Sequence, residues 1–156
     1  MRITRRLEFD AGHRIPHHDS QCRHLHGHRY AIEVTVSGEV IVAASDPEQG
    51  MVADFASVKK LVHEQVVAPW DHSFLVYAGD RAVVDFLATL PQHRTVVFDA
   101  PPTAEHLAAT ALRRLERAFA AVYGQRLCVE QVRIYETPNC WADALRADSH
   151  ATSART

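Results

Sequence analysis

The chain has 156 residues, 47% of them apolar and 23% charged, with a formal charge of −2 and a pI near 6.6. These values describe a globular chain able to bury roughly 70% of its unfolded surface, and they exclude disorder, a fibrous repeat and the basic excess that holds nucleic-acid backbones or anionic lipid. The start, MRITRRLEFD, lacks the apolar run of a signal peptide, and no stretch approaches the roughly 20 apolar residues of a membrane span, so a cytoplasmic location is expected.

In chain order, Ile3, Leu7, Phe9 and Ala11 share one parity, broken at Arg5. This predicts a strand with one buried face, which His13 continues. Tyr30, Ile32, Val34 and Val36 alternate with their neighbours and predict a second strand, whose apolar parity includes His26 and His28. Residues 46–50 read as a turn, and 51–53 as a short extended segment leading to Asp54, a candidate N-cap.

Apolar residues then recur at helical spacing from Phe55 to Val66 and predict a helix stopped by Pro69. Asp80 is placed to cap a shorter helix that ends before Pro91, and Thr95–Phe98 has strand composition. Thr103 announces a long helix over 104–122, ended by Gly124. Cys128, Val132 and Ile134 predict a last strand that carries Glu136 on the same parity. The resulting order predicts an α+β fold with an antiparallel four-stranded sheet. Residues 1–144 are expected to form a single domain and 145–156 a flexible C-terminal tail.

Of 11 histidines, six fall between positions 13 and 28, three of them in the stretch CRHLHGH. His13, His26 and His28 lie at the adjoining ends of two predicted strands, on the parity of the buried side chains. A buried imidazole without a partner is costly, so a metal ion is expected there. Zinc suits three imidazoles and keeps a fourth position for water or substrate, the arrangement of a catalytic metal. His17, His18 and His24 are read as solvated.

Three cysteines without a CxxC pair argue against a disulfide framework or a thiolate-rich zinc site. Cys22, in the histidine loop, would stand near the cation, which makes its thiolate available as base or nucleophile. Cys128 and Cys140 read as small buried hydrophobes. Asp71 and His72 set a carboxylate beside an imidazole, a combination suited to proton transfer, although the dipeptide alone favours a surface turn. Glu105 fits the acidic preference of a helix start. Glu136 is a carboxylate on a buried parity and needs donors, either an arginine or a ligand with two adjacent N–H groups.

The segments FDAGHR, CRHLHGH, GMVADFASVK, WDHSFL, PTAEHLA and YET occur in this order between about residues 3 and 137. In this the chain resembles the 6-pyruvoyl-tetrahydropterin synthase family, and within it the bacterial 6-carboxytetrahydropterin synthases of queuosine biosynthesis. The resemblance implies that His13, His26 and His28 are zinc ligands, that Cys22 is the general base, and that Asp71 and His72 relay protons. It implies that Glu136 anchors the 2-amino and N3–H edge of a pterin, with Thr103 and Glu105 assisting.

The implied fold packs helices on one face of a small antiparallel sheet. The implied assembly is a homo-oligomeric barrel, a hexamer being favoured, with active sites between subunits. The implied reaction converts 7,8-dihydroneopterin triphosphate into 6-carboxy-5,6,7,8-tetrahydropterin, acetaldehyde and triphosphate, without nicotinamide or flavin. Three residues between Cys22 and His26 resemble the carboxy-forming branch. Pyruvoyl formation and an aldolase-like cleavage are the alternatives within this chemistry. From other classes come a zinc hydrolase, in which Cys22 is idle, and a pterin-binding module without turnover. The stretch 76–100 is longer than in the shortest relatives and touches no motif.

Overall fold

The computed structural model describes residues 1–146, so the expected tail lies, from residue 147 on, outside the described residues. The chain forms β1 (Arg2–His13), β2 (His26–Gly38), α1 (Phe55–Val62), α2 (Ala68–Trp70), β3 (Ser73–Tyr77), α3 (Arg81–Ala88), β4 (Thr95–Phe98), α4 (Ala104–Tyr123), β5 (Leu127–Thr137) and β6 (Cys140–Leu145). The strands make one six-stranded sheet in the order β4-β3-β1-β2-β5-β6.

This corrects the expectation of an antiparallel four-stranded sheet. The central strands β1, β2 and β5, with β6, are antiparallel, but β3 runs parallel to β1 and β4 parallel to β3. Two strands were hidden for different reasons. β3 is only SFLVY, a short apolar run that periodicity cannot separate from the preceding turn. β6 carries the exposed Trp141 and only one buried residue, Ala144, so its sequence shows no buried face. β4 lies parallel to β3 because α3 intervenes and returns the chain in the same direction, whereas β3 lies parallel to β1 because it reverses the direction of β2, the strand that precedes it.

The core forms where the predicted parities meet the helix stripes. Tyr30, Ile32, Val34 and Val36 of β2 are fully buried. They belong to one cluster with Leu107, Ala111, Leu112 and Leu115 of α4 and Val58 and Val62 of α1. Burial of each large apolar side chain contributes about 1.5–3 kcal/mol. Asp54 caps α1 as expected, its carboxylate accepting from Ala56 N at 2.8 Å. The chain does not stop at Pro69: a π-helical turn, His63–Val67, leads into α2, and Pro69 sits in the first turn of α2, where a missing N–H is tolerated. Thr103 caps α4 through His106 N, and Gly124 ends it at a positive φ of 58° that favours glycine.

Candidate active site

The twelve-residue pairing of β1 with β2 sets the site. His13 faces His26, and Ala11 faces His28, so antiparallel register alone gathers the three imidazoles at one end of the strand pair. Their ring centroids stand 4.5, 4.9 and 5.2 Å apart. Between them Gly12 pairs with Gly27, and a Cβ on Gly27 would sit 3.0 Å from the Ala11 carbonyl oxygen. A larger residue there would press the strands apart.

Backbone carbonyls orient two of the rings. His13 Nδ1 donates to Pro102 O at 2.9 Å and His26 Nδ1 donates to His24 O at 2.7 Å. Each ring then presents a lone pair at Nε2, and these two atoms face each other at 3.1 Å. Two acceptors so close repel unless a cation lies between them. Tetrahedral zinc at 2.0–2.1 Å from nitrogen would set its ligands about 3.3 Å apart. His28 Nε2 is buried with no hydrogen-bond partner, an expensive state that coordination would relieve. The ligand atoms of all three histidines lie within 4.8 Å of one another. The donor set therefore fits a divalent metal, and the carbonyls are the outer support that metal-binding histidines require.

Electrostatics agree with this geometry. Burial holds the His13 imidazole below its ordinary pKa, opposed by the Pro102 carbonyl and Glu136 and reinforced by the other two histidines. Burial does the same at His28. Neutral imidazoles are the forms that bind metal.

Beside the triad lies a cavity of about 210 Å³ whose walls include Cys22, Thr103, Glu105 and Glu136. Cys22 sits in a short 3-10 turn, Gln21–Arg23, in the loop that joins β1 to β2. All three cysteines are free, and Cys140, on β6, is exposed rather than buried. Among the described residues Glu136 meets no arginine. Its Oε1 lies 3.4 Å from His13 Nε2 and 3.9 Å from His28 Nε2. The Thr103 hydroxyl, already accepting from His106 N, borders the cavity where α4 begins.

Asp71 and His72 touch each other, Asp71 Oδ2 lying 2.9 Å from His72 Nδ1. The pair is clamped to β1, since Asp10 N donates to Asp71 Oδ1 at 2.9 Å and His72 N donates to Asp10 O at 2.7 Å. Partial burial works to raise the Asp71 pKa, but the Asp10 amide and the His72 imidazole hold the carboxyl below its usual value. His72 adopts a positive φ of 53° and its side chain is 73% exposed. It borders an open depression with Gly27, Arg29 and His93, separate from the Cys22 cavity. Within one chain, Asp71 and His72 are not brought to the thiol.

Sequence reasoning missed three participants. Tyr30 packs its ring 5.8 Å from His13 and 5.6 Å from His28, and its buried hydroxyl has no partner. Burial pushes that hydroxyl's pKa up, helped by Glu136 and Cys22. Its place two residues after His28 on the same parity was the available signal, masked by its reading as core. His18 is exposed, in keeping with its reading as solvated, but it also borders the Cys22 cavity and accepts from Ser20 N through Nδ1. Trp141 lines the same cavity from the unforeseen β6.

Known proteins share both sequence and architecture with this chain. A family profile described as 6-pyruvoyl tetrahydropterin synthase matches residues 2–147. A protein named 6-carboxy-5,6,7,8-tetrahydropterin synthase from Rickettsia bellii is 35% identical over 144 residues, covering 92% of this chain and 99% of its own. A crystal structure of an uncharacterized protein from Wolinella succinogenes superposes with a TM-score of 0.72 at 23% identity, covering 94% of this chain and 98% of that one. The structure of the 6-pyruvoyl tetrahydropterin synthase of Caenorhabditis elegans gives 0.63 at 25% identity, covering 93% and 94%.

Proposed function

Because the chain belongs to the 6-pyruvoyl tetrahydropterin synthase family, we propose that it is a zinc-dependent lyase that converts 7,8-dihydroneopterin triphosphate and water into 6-carboxy-5,6,7,8-tetrahydropterin, acetaldehyde and triphosphate. The observation that carries this reading is an imidazole triad reached by Glu136, a carboxylate that lines, together with the Cys22 thiol, the small cavity beside it. The relatives named for the carboxy-forming activity favour that outcome over the pyruvoyl one.

In this reading His13, His26 and His28 hold zinc, which when bound acts as a Lewis acid toward the side-chain oxygens of the substrate. Glu136 accepts from the 2-amino and N3–H groups of the pterin, a bidentate pairing that matches a carboxylate and fixes the ring's orientation. The Cys22 thiolate removes a carbon-bound proton from the side chain held beside it. Asp71, anchored by the Asp10 amide, holds His72 by Nδ1 and leaves Nε2 to give or relay a proton. Since His72 stands outside the Cys22 cavity of its own chain, it serves the cavity of a second copy in a homo-oligomer. Thr103 and Glu105 complete the wall around the pterin.

The test is incubation of zinc-loaded and metal-free protein with 7,8-dihydroneopterin triphosphate, with products identified by mass spectrometry. Zinc-dependent appearance of the carboxypterin with acetaldehyde is expected. Unaltered substrate would overturn the reading, and a pyruvoyl product would assign the chain to the other branch.

A further inference from the structure

Asp80 occupies the N-cap position of α3 but makes no side-chain cap hydrogen bond. Its carboxylate is directed elsewhere. It is 6% exposed, and it accepts from Arg14 Nε at 2.6 Å and from Arg14 Nη2 at 3.3 Å, across 66 positions of sequence. A carboxylate this buried persists only with such a partner.

Arg14 directly follows the triad residue His13 and opens the loop between β1 and β2. The next residue, Ile15, closes that loop: its N–H donates to Cys22 O at 2.8 Å and its carbonyl accepts from His18 N at 3.1 Å. Ile15 also lines the cavity that Cys22 borders. At the other end, α3 is fastened to β3 by its own small cluster of Val76, Val83 and Leu87. A continuous line of packed and hydrogen-bonded groups thus runs from α3 through Asp80, Arg14 and Ile15 to Cys22.

We infer that Asp80 is a positioning residue which, through Arg14, sets the loop that carries Cys22. The stretch 76–100 is then a brace for the reacting thiol. This rests on the reading of Cys22 as the base, and it gives that stretch a role no motif supplies. A misplacement of about 1 Å at a reacting group costs up to roughly 100-fold in rate, so a brace outside the cavity can matter to turnover.

The test compares wild type with Asp80→Asn, Arg14→Lys and the double variant, using the rate at which iodoacetamide alkylates Cys22, resolved by peptide mass mapping. Cys140 borders the same cavity from β6 and is the internal reference. Each single variant is expected to change the Cys22 rate about threefold or more with Cys140 unaltered, and the double variant to match the singles, because both break one link. With substrate, kcat should fall about tenfold while KM, governed by Glu136, stays within about twofold.

Arg81→Ala, which removes the exposed Arg81–Asp85 pair of the same helix, should leave both thiol rates unchanged. An unchanged Cys22 rate in the folded variants overturns the inference, as does an equal change at Cys22 and Cys140, which marks general loosening. Arg14→Lys carries the comparison alone where Asp80→Asn does not fold. Thiol labelling needs no pterin turnover, so the brace can fail while the proposed reaction stands, and the reverse.

Discussion

Glu136 Oε1 lies 3.4 Å from His13 Nε2, the nitrogen that the Pro102 carbonyl leaves free on the other side of the ring. The carboxylate on the last long strand therefore borders both the imidazole triad and the cavity. Two roles are open to such a group, ligand to the metal or anchor to the substrate, and they predict different phenotypes.

Glu136→Gln is expected to retain zinc at wild-type stoichiometry while losing grip on the pterin. A hydrogen bond to a charged group contributes about 1.5–3 kcal/mol, so KM should rise roughly 10- to 150-fold. Metal analysis of the purified variant, with substrate titration, checks this. Loss of zinc would make Glu136 a fourth ligand instead.

His28→Ala should lose metal without losing the fold. His28 is partly exposed and contributes an orphaned Nε2, whereas His13 is fully buried. Removing one of three ligands is expected to lower zinc affinity by at least 100-fold, abolish turnover, and erase the rise in melting temperature that zinc gives the wild type. Chelator competition and thermal melts read both effects.

The triad was legible because strand parity is local and has a period of two: His13, His26 and His28 each continue a row of apolar residues that the sheet buries. The Asp71–His72 contact was not, because it depends on a positive φ at His72 and on two hydrogen bonds to Asp10, 61 and 62 residues away. β3 escaped because its partner β1 is some 62 residues away, and β6, although it pairs with the adjacent β5 across a tight turn, buries only Ala144, so neither short sequence announces a buried face. Asp80 was legible as the start of α3 and illegible as Arg14's partner, since position predicts a cap while the carboxylate answers to burial.

The metal-free protein should lose stability on acidification. Burial lowers the His13 and His28 pKa values below the ordinary 6.5 that the unfolded chain retains. Below pH 6.5 the unfolded chain binds protons that the folded chain refuses, so stability is full above that pH and declines as pH falls toward the lowered values. The slope is at most about 1.4 kcal/mol per pH unit for each histidine. Thermal melts of metal-free wild type and His28→Gln between pH 7.5 and 5 check the sign: the variant should lose less on acidification.

Cys22 and His72 border different depressions of one chain, so the proposed reaction is expected to draw them from two chains. Cys22→Ala and His72→Ala should each be inactive alone, by a factor of about 100 or more for loss of a general base or acid. Co-expressed in equal amounts, they should regain activity. A site shared between copies receives an intact Cys22 from half of the chains and an intact His72 from the other half, so about one site in four is complete. Recovery near a quarter of the wild-type rate in the mixed oligomer is the expected result. Mixed oligomers as inactive as either variant would mean that one chain supplies both groups, through a movement of the Asp71–His72 turn that its clamp to Asp10 opposes.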